Sequence, residues 1–109
     1  MPDSPEAILI LTTAGDEDQA RQIATHLVES RLVACVNVIP RIRSVYRWEG
    51  KLVEEEELLL ICKTSPSRFE PVRKAIRKIH TYDCPEVICV EVPRGDPDYL
   101  GWLHKSTTL

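Results

Sequence analysis

The chain has 109 residues, 43% of them hydrophobic, and a formal net charge of −3. That length makes one domain, residues 1–109, with a core large enough to fold yet small enough to gain from contacts with further copies. The acidic balance argues against general attraction to nucleic acid or anionic membrane, and no apolar run approaches the ~20 residues that a membrane span needs.

The opening Met1-Pro2-Asp3-Ser4-Pro5-Glu6 lacks the basic start of a signal peptide, so the expected location is the cytoplasm. Ala7 to Thr13 is apolar on both faces and reads as a central strand. Gly15-Asp16 ends it. Asp16 with Gln19 makes a capping-box pattern, and Ala20, Ile23, Ala24 and Leu27 recur at the helical period through about Arg31.

Val33 to Ser65 then reads as one long hairpin folded at Glu49-Gly50, the pair that supplies a positive-φ turn position. In that register Trp48 faces Lys51, Arg47 faces Leu52, Arg43 faces Glu56 and Cys62 faces Asn37, so Cys35 and Cys62 fall diagonally on one face. Pro40 cannot donate to the ladder and predicts a bulge or bend separating a buried base from a projecting arm. Ile42, Tyr46, Trp48 and Val53 share one face of that arm. Something must cover it, because an isolated two-stranded ribbon is marginal in water, and a closed homo-oligomer is expected.

Ser65 or Ser67 opens a second helix with Phe69, Val72, Ile76 and Ile79 as its buried stripe, Pro71 falling in the first turn. Tyr82-Asp83-Cys84-Pro85 is a loop, Val87 to Val92 a fourth strand, and Asp96-Pro97 the start of a short helix carrying Tyr99, Trp102 and Leu103. A strand with a capped helix occurs twice around a central hairpin. The fold class is therefore α+β, a ferredoxin-like split βαβ sandwich with both helices on one sheet face, a long central hairpin and a C-terminal helix.

The stretches Ala34-Cys35-Val36-Asn37-Val38-Ile39-Pro40, Ser44-Val45-Tyr46-Arg47-Trp48-Glu49-Gly50-Lys51, Lys63-Thr64, His80-Thr81-Tyr82-Asp83-Cys84-Pro85-Glu86 and Asp98-Tyr99-Leu100-Gly101-Trp102-Leu103 together resemble the CutA family of divalent-cation tolerance proteins. The resemblance covers nearly the whole chain. It implies a ferredoxin-like fold, a stable homotrimer, an association with tolerance of copper and other divalent cations, and no enzymatic reaction. Family members proposed to bind copper carry a first-strand cysteine and a histidine pair; the matching positions here are Thr12 and Ile79-His80, with Cys84 an extra thiol near the surviving histidine.

The candidate metal ligands are accordingly His80 and Cys84, with Cys89 near in sequence, since thiolate and imidazole suit copper(I) or zinc. A histidine at the end of the second helix also serves the helix dipole without any metal. None of the four cysteines forms a Cys-x-x-Cys pair, and buried reduced thiols are the plain expectation, with Cys35 and Cys62 protected and Cys84 reactive. The run Glu54 to Glu57 alternates faces and is expected to pair with Arg41, Arg43 and Arg47 across the hairpin or between copies.

A second reading is a trimeric sensor of a small anionic or nucleotide-like ligand at subunit clefts, with Asn37, Trp48, Lys63 and Tyr82 from the matched motifs as candidates. Pairing of Lys63 with a hairpin glutamate is the alternative for that residue. RNA binding is set aside, because the strand Leu58 to Thr64 carries no stacking aromatics. An acylphosphatase-like enzyme is set aside too, since Asp16 stands where an anion would go.

Overall fold

The computed structural model describes residues 6–108, so Met1 to Pro5, part of the stretch read for a signal peptide, lie outside the described residues. Its elements are β1 (Ala7–Ala14), α1 (Glu17–Glu29), β2 (Cys35–Trp48), β3 (Lys51–Thr64), a 3-10 turn (Pro66–Arg68), α2 (Phe69–Ile79), β4 (Ile88–Val92) and α3 (Pro97–Ser106). The strands form one antiparallel sheet in the order β2-β3-β1-β4. This is the expected ferredoxin-like arrangement, with β1 central as its two apolar faces require.

Strand parity divides the molecule. Ile8 and Ile10 of β1 with Leu58, Leu60 and Cys62 of β3 meet Ala20, Ile23 and Leu27 of α1 and Val72 and Ile76 of α2 in the main core. The opposite sheet face is only partly covered. There α3 packs Leu100 and Leu103 against Ala7, Ala34 and Val92. The rest of that face carries Ile39, Ile88 and Val90 exposed, with Leu9, Leu11, Leu59 and Ile61 half-buried.

Helix starts follow the local chemistry, with a departure at the first two. Asp16 caps α1 by accepting from the Gln19 backbone N–H at 2.8 Å, but the Gln19 side chain does not close the box. Ser65 precedes the 3-10 turn without capping it, and its hydroxyl bonds Thr107 instead at 2.6 Å. Asp96 caps α3 through Asp98 and Tyr99, as Asp-Pro predicts.

The arm register is as expected: Trp48↔Lys51, Arg47↔Leu52 and Arg43↔Glu56 pair, and Glu49 and Gly50 both take positive φ, the signature of a type I′ turn. The bulge expected at Pro40 lies between Ile39 and Ile42, with Arg41 at φ 57°. It corrects the base of the hairpin. One extra residue on β2 shifts the pairing, so Cys62 faces Val36 and Asn37 faces Ile61, and Cys35 and Cys62 lie on opposite faces rather than on one.

Beyond that bulge the ribbon projects, and none of its residues belongs to either core cluster. The radius of gyration is 14.7 Å, against roughly 13 Å for a compact chain of this length. The arm accounts for the difference.

Candidate functional site

Along one face of the arm, from its root past the end of β1 toward the turn, β2 and β3 meet the loop that joins α2 to β4 and enclose a cleft of about 660 Å³. Strand parity puts Tyr46 and Trp48 of β2 on the same ribbon face as Glu55 and Glu57 of β3, and these four form one wall. The loop supplies the other, with Tyr82, Asp83, Cys84 and Glu86.

Three contacts fix that loop. α2 ends at His80, whose backbone turns extended while its N–H still reaches Ile76 at 2.8 Å. The His80 ring is buried and bridges two backbones: Nδ1 accepts from the Tyr82 N–H at 3.1 Å, so Nε2 carries the proton and donates to the Thr13 carbonyl at 2.6 Å. Buried Gln19, freed from the capping box, accepts the Thr81 N–H at 2.8 Å. Tyr82 is thereby aimed at β3, where its hydroxyl donates to Glu57 at 2.8 Å. Gly15 leaves the room, since a Cβ there would stand 3.0 Å from that hydroxyl.

The electrostatics are one-sided. Glu57 is 5% exposed, and Tyr82 is its hydrogen-bond partner. Burial, followed by the bond to Glu57, raises the Tyr82 phenol well above its ordinary range. Tyr46 donates to Glu55 at 2.6 Å, and that bond chiefly pushes the Tyr46 phenol up to about 12. Burial and the neighbouring Glu57 charge raise the Glu86 carboxyl. Among the described residues, no lysine or arginine lines the cleft. The glutamate run meets the expected cross-hairpin ion pairing in part: Arg43 meets Glu54 at 3.5 Å on the exposed face, while Glu55 and Glu57 turn to tyrosines.

Of the candidate ligand residues, Trp48 and Tyr82 come together in the cleft and Asn37 and Lys63 do not. Asn37 is exposed opposite Ile61, and Lys63 extends over the Tyr99 ring at 5.9 Å with no glutamate partner. An anionic ligand would meet Glu55, Glu57, Asp83 and Glu86, which is the wrong sign of charge.

The soft-metal pair does not fit either. Both His80 nitrogens are committed to the backbone, Cys84 is exposed, and no three His, Cys, Asp or Glu side chains converge to hold a metal ion among the described residues. Cys89 is exposed as well, because β4 is an edge strand. Thr12 stands alone in the main core with its hydroxyl unpartnered. Sequence reasoning missed Tyr46, Glu55, Glu57 and Glu86 as lining residues: hairpin parity is the signal that could have joined the first three, whereas nothing local in the sequence places Glu86 beside them.

The family model described as CutA1 divalent ion tolerance protein matches residues 8–106. The chain belongs to the CutA1 family. It is 41% identical over 99 residues to the divalent-cation tolerance protein CutA of Thermus thermophilus, covering 91% of this chain and 96% of that protein. Protein CutA of Mus musculus is also 41% identical over 107 residues, 98% of this chain but 59% of the longer mouse protein. Among solved structures, the T. thermophilus Cut A1 superposes with a TM-score of 0.91 at 40% identity, covering 94% of this chain and 99% of that one. CutA1 from Oryza sativa gives 0.92 at 36% identity, covering 99% and 98%. The family model and the T. thermophilus protein are named for tolerance of divalent cations.

Proposed function

We propose that this CutA1 chain acts as a cytosolic, non-enzymatic homotrimer in the tolerance of divalent cations, without a dedicated copper centre in the single chain. The observation that carries the reading is the half-covered sheet: Ile39, Ile88 and Val90 are 42%, 53% and 45% exposed beside half-buried leucines and isoleucines. Such a continuous apolar surface is characteristic of an interface between copies. The projecting arm, with Tyr46 and Trp48 exposed on it, supplies a second contact of the same kind. Three copies is the number that the family resemblance implies.

A reducing compartment agrees with four unpaired thiols, and no helix among the described residues is long and apolar enough to cross a membrane. Relatives differ in this respect: the Arabidopsis thaliana protein is described as chloroplastic and the Archaeoglobus fulgidus structure as periplasmic. Copper is then a cation to which the assembly responds. Any affinity of the chain for copper(I) is weak and rests on the exposed Cys84 and Cys89 thiols, so His80→Ala leaves it unchanged while Cys84→Ser combined with Cys89→Ser removes it.

The test is assembly and tolerance together. Sedimentation equilibrium of the whole chain should give three times the 12.4 kDa chain mass, and deleting the arm from Arg43 to Glu56 should abolish that mass while the sheet base stays folded. In cells lacking the protein, the parent chain should restore growth in copper and the deletion should not. A trimer that survives loss of the arm, or tolerance that survives loss of the trimer, would overturn the reading.

A further inference from the structure

His80 holds the loop after α2 by a pattern that only one form of its ring can make. The side chain is buried and its nitrogens meet opposite groups: the Tyr82 backbone N–H points its hydrogen at Nδ1 from 3.1 Å, while the Thr13 carbonyl takes one from Nε2 at 2.6 Å. A neutral imidazole protonated on Nε2 satisfies both, and the other neutral tautomer satisfies neither. A further proton, placed on Nδ1, sets donor against donor. The Tyr82 N–H then loses its acceptor within a part-buried contact, and the buried imidazolium has no carboxylate bonded to it among the described residues.

We infer that His80 is a proton-operated latch: closed while its ring is neutral, it releases the loop 81–86 from the root of the arm when Nδ1 is protonated. The effect reaches the arm through one side chain. Tyr82 lies against the His80 ring, 4.5 Å between centroids, and passes its hydroxyl to Glu57 of β3 at 2.8 Å, so a loop that leaves His80 carries that contact away. The remaining tie is the Thr81 N–H to Gln19 of α1 at 2.8 Å, a neutral pair that acid leaves unchanged.

The surroundings of the ring are mostly uncharged. β1 offers Thr13, α1 offers Gln19, and α2 offers the Ile76 carbonyl to the His80 backbone while its Arg77 and Lys78 are exposed. The nearby acids are Glu57, behind the Tyr82 hydroxyl, and Asp83 and Glu86 on the exposed loop. Burial and the Glu57 charge raise the Glu86 carboxyl, which makes it the competing proton acceptor. Opening the latch takes up a proton, so falling pH favours the open loop and rising pH the closed one.

The test follows the isotope-labelled full chain by NMR between pH 8 and pH 5, the span in which imidazoles titrate. At the upper end His80 should show a bare Nδ1 and a protonated Nε2. As pH falls, protonation of Nδ1 and the shift of the Tyr82 amide should share one midpoint, and the Glu57 amide should move with them. Exchange of the Tyr82 amide hydrogen, relative to its intrinsic rate, should rise by up to about tenfold for each unit of pH as the ring becomes protonated. In His80→Gln, which has no titrating ring, the response at Tyr82 should vanish. In Tyr82→Phe the backbone amide at that position should still respond while Glu57 does not.

A proton already on Nδ1 at the upper pH would overturn the latch, as would a ring that stays neutral throughout or one that titrates while the Tyr82 amide stays fixed. An acid response that survives in His80→Gln would belong to Glu57 or Glu86 and would also overturn it. Zinc that shifts the His80 ring nitrogens would make the ring a metal ligand instead. A Glu57 amide that still follows pH in Tyr82→Phe would overturn the link to the arm. Should His80→Gln fail to fold, the tautomer and the shared midpoint in the parent chain decide alone. These contacts lie within one chain, so failure of the trimer reading would leave the ring and amide signals as expected.

Discussion

The two faces of the sheet are written in similar residues and meet different fates. Ile10 and Leu60 point to the helices and are fully buried, whereas Ile88 and Val90, as apolar as they, remain about half exposed on the other face. The difference lies in what the topology brings over each face: two helices of 13 and 11 residues on one, and on the other the 10-residue α3, which reaches only the end near Ala7 and Val92. Hydrophobic pattern states that a face needs cover. It does not say whether the cover comes from the same chain.

The largest expected effect separates the faces directly. Leu60→Ala should cost about 2–5 kcal/mol in chemical denaturation, the range for truncation in a well-packed core. Ile88→Ala should cost well under that when measured at concentrations low enough to dissociate copies, and more as concentration rises. Equal, concentration-independent losses at both sites would erase the distinction between the two faces.

The thiols sharpen it at intermediate scale. Cys62 is buried on the helix-covered face, and burial, with Cys35 nearby, pushes its thiol up to about 12. It should resist alkylation until the protein unfolds. Cys84 and Cys89 are exposed and should label in the native state, Cys89 slowed because burial and Glu91 raise its thiol. Cys35, expected to be protected, is only half-buried and should fall between them.

The same thiol gives a pH dependence. The folded state holds the Cys62 proton more tightly than the unfolded chain, so stability is unaffected by this group below its unfolded value near 9 and declines as pH rises from there toward about 12. Cys62→Ala should flatten that alkaline slope, read from denaturation midpoints between pH 8 and 11; an unchanged slope would mean that another group causes it.

The smallest effect probes a flaw in the covered face. Thr12 is fully buried with its hydroxyl unpartnered, so Thr12→Val should leave stability unchanged or raise it by about 1 kcal/mol, measured by urea denaturation. A loss of 2 kcal/mol or more would reveal that the hydroxyl has a role in the packed face.

Much of the fold was decided locally. Period-2 and period-3.6 apolar patterns, Asp16 and Asp96 at helix starts and Glu49-Gly50 at the turn place every element to within a few residues, because caps, turns and amphipathic faces depend on neighbours in the chain. The bulge at Pro40 followed from a missing N–H. Its consequence, the register slip that parts Cys35 from Cys62, did not, because a bulge adds a residue whose number the sequence leaves open.

The site lies between these limits. Parity alone sets Tyr46 and Trp48 on the face of Glu55 and Glu57, but only the tertiary structure spends the His80 nitrogens on Thr13 and Tyr82, sends Lys63 to Tyr99 and turns Glu57 to Tyr82. The His80–Thr13 contact joins residues 67 positions apart. Short-range pattern carries no information over that separation; the chain's return to its own first strand supplies it.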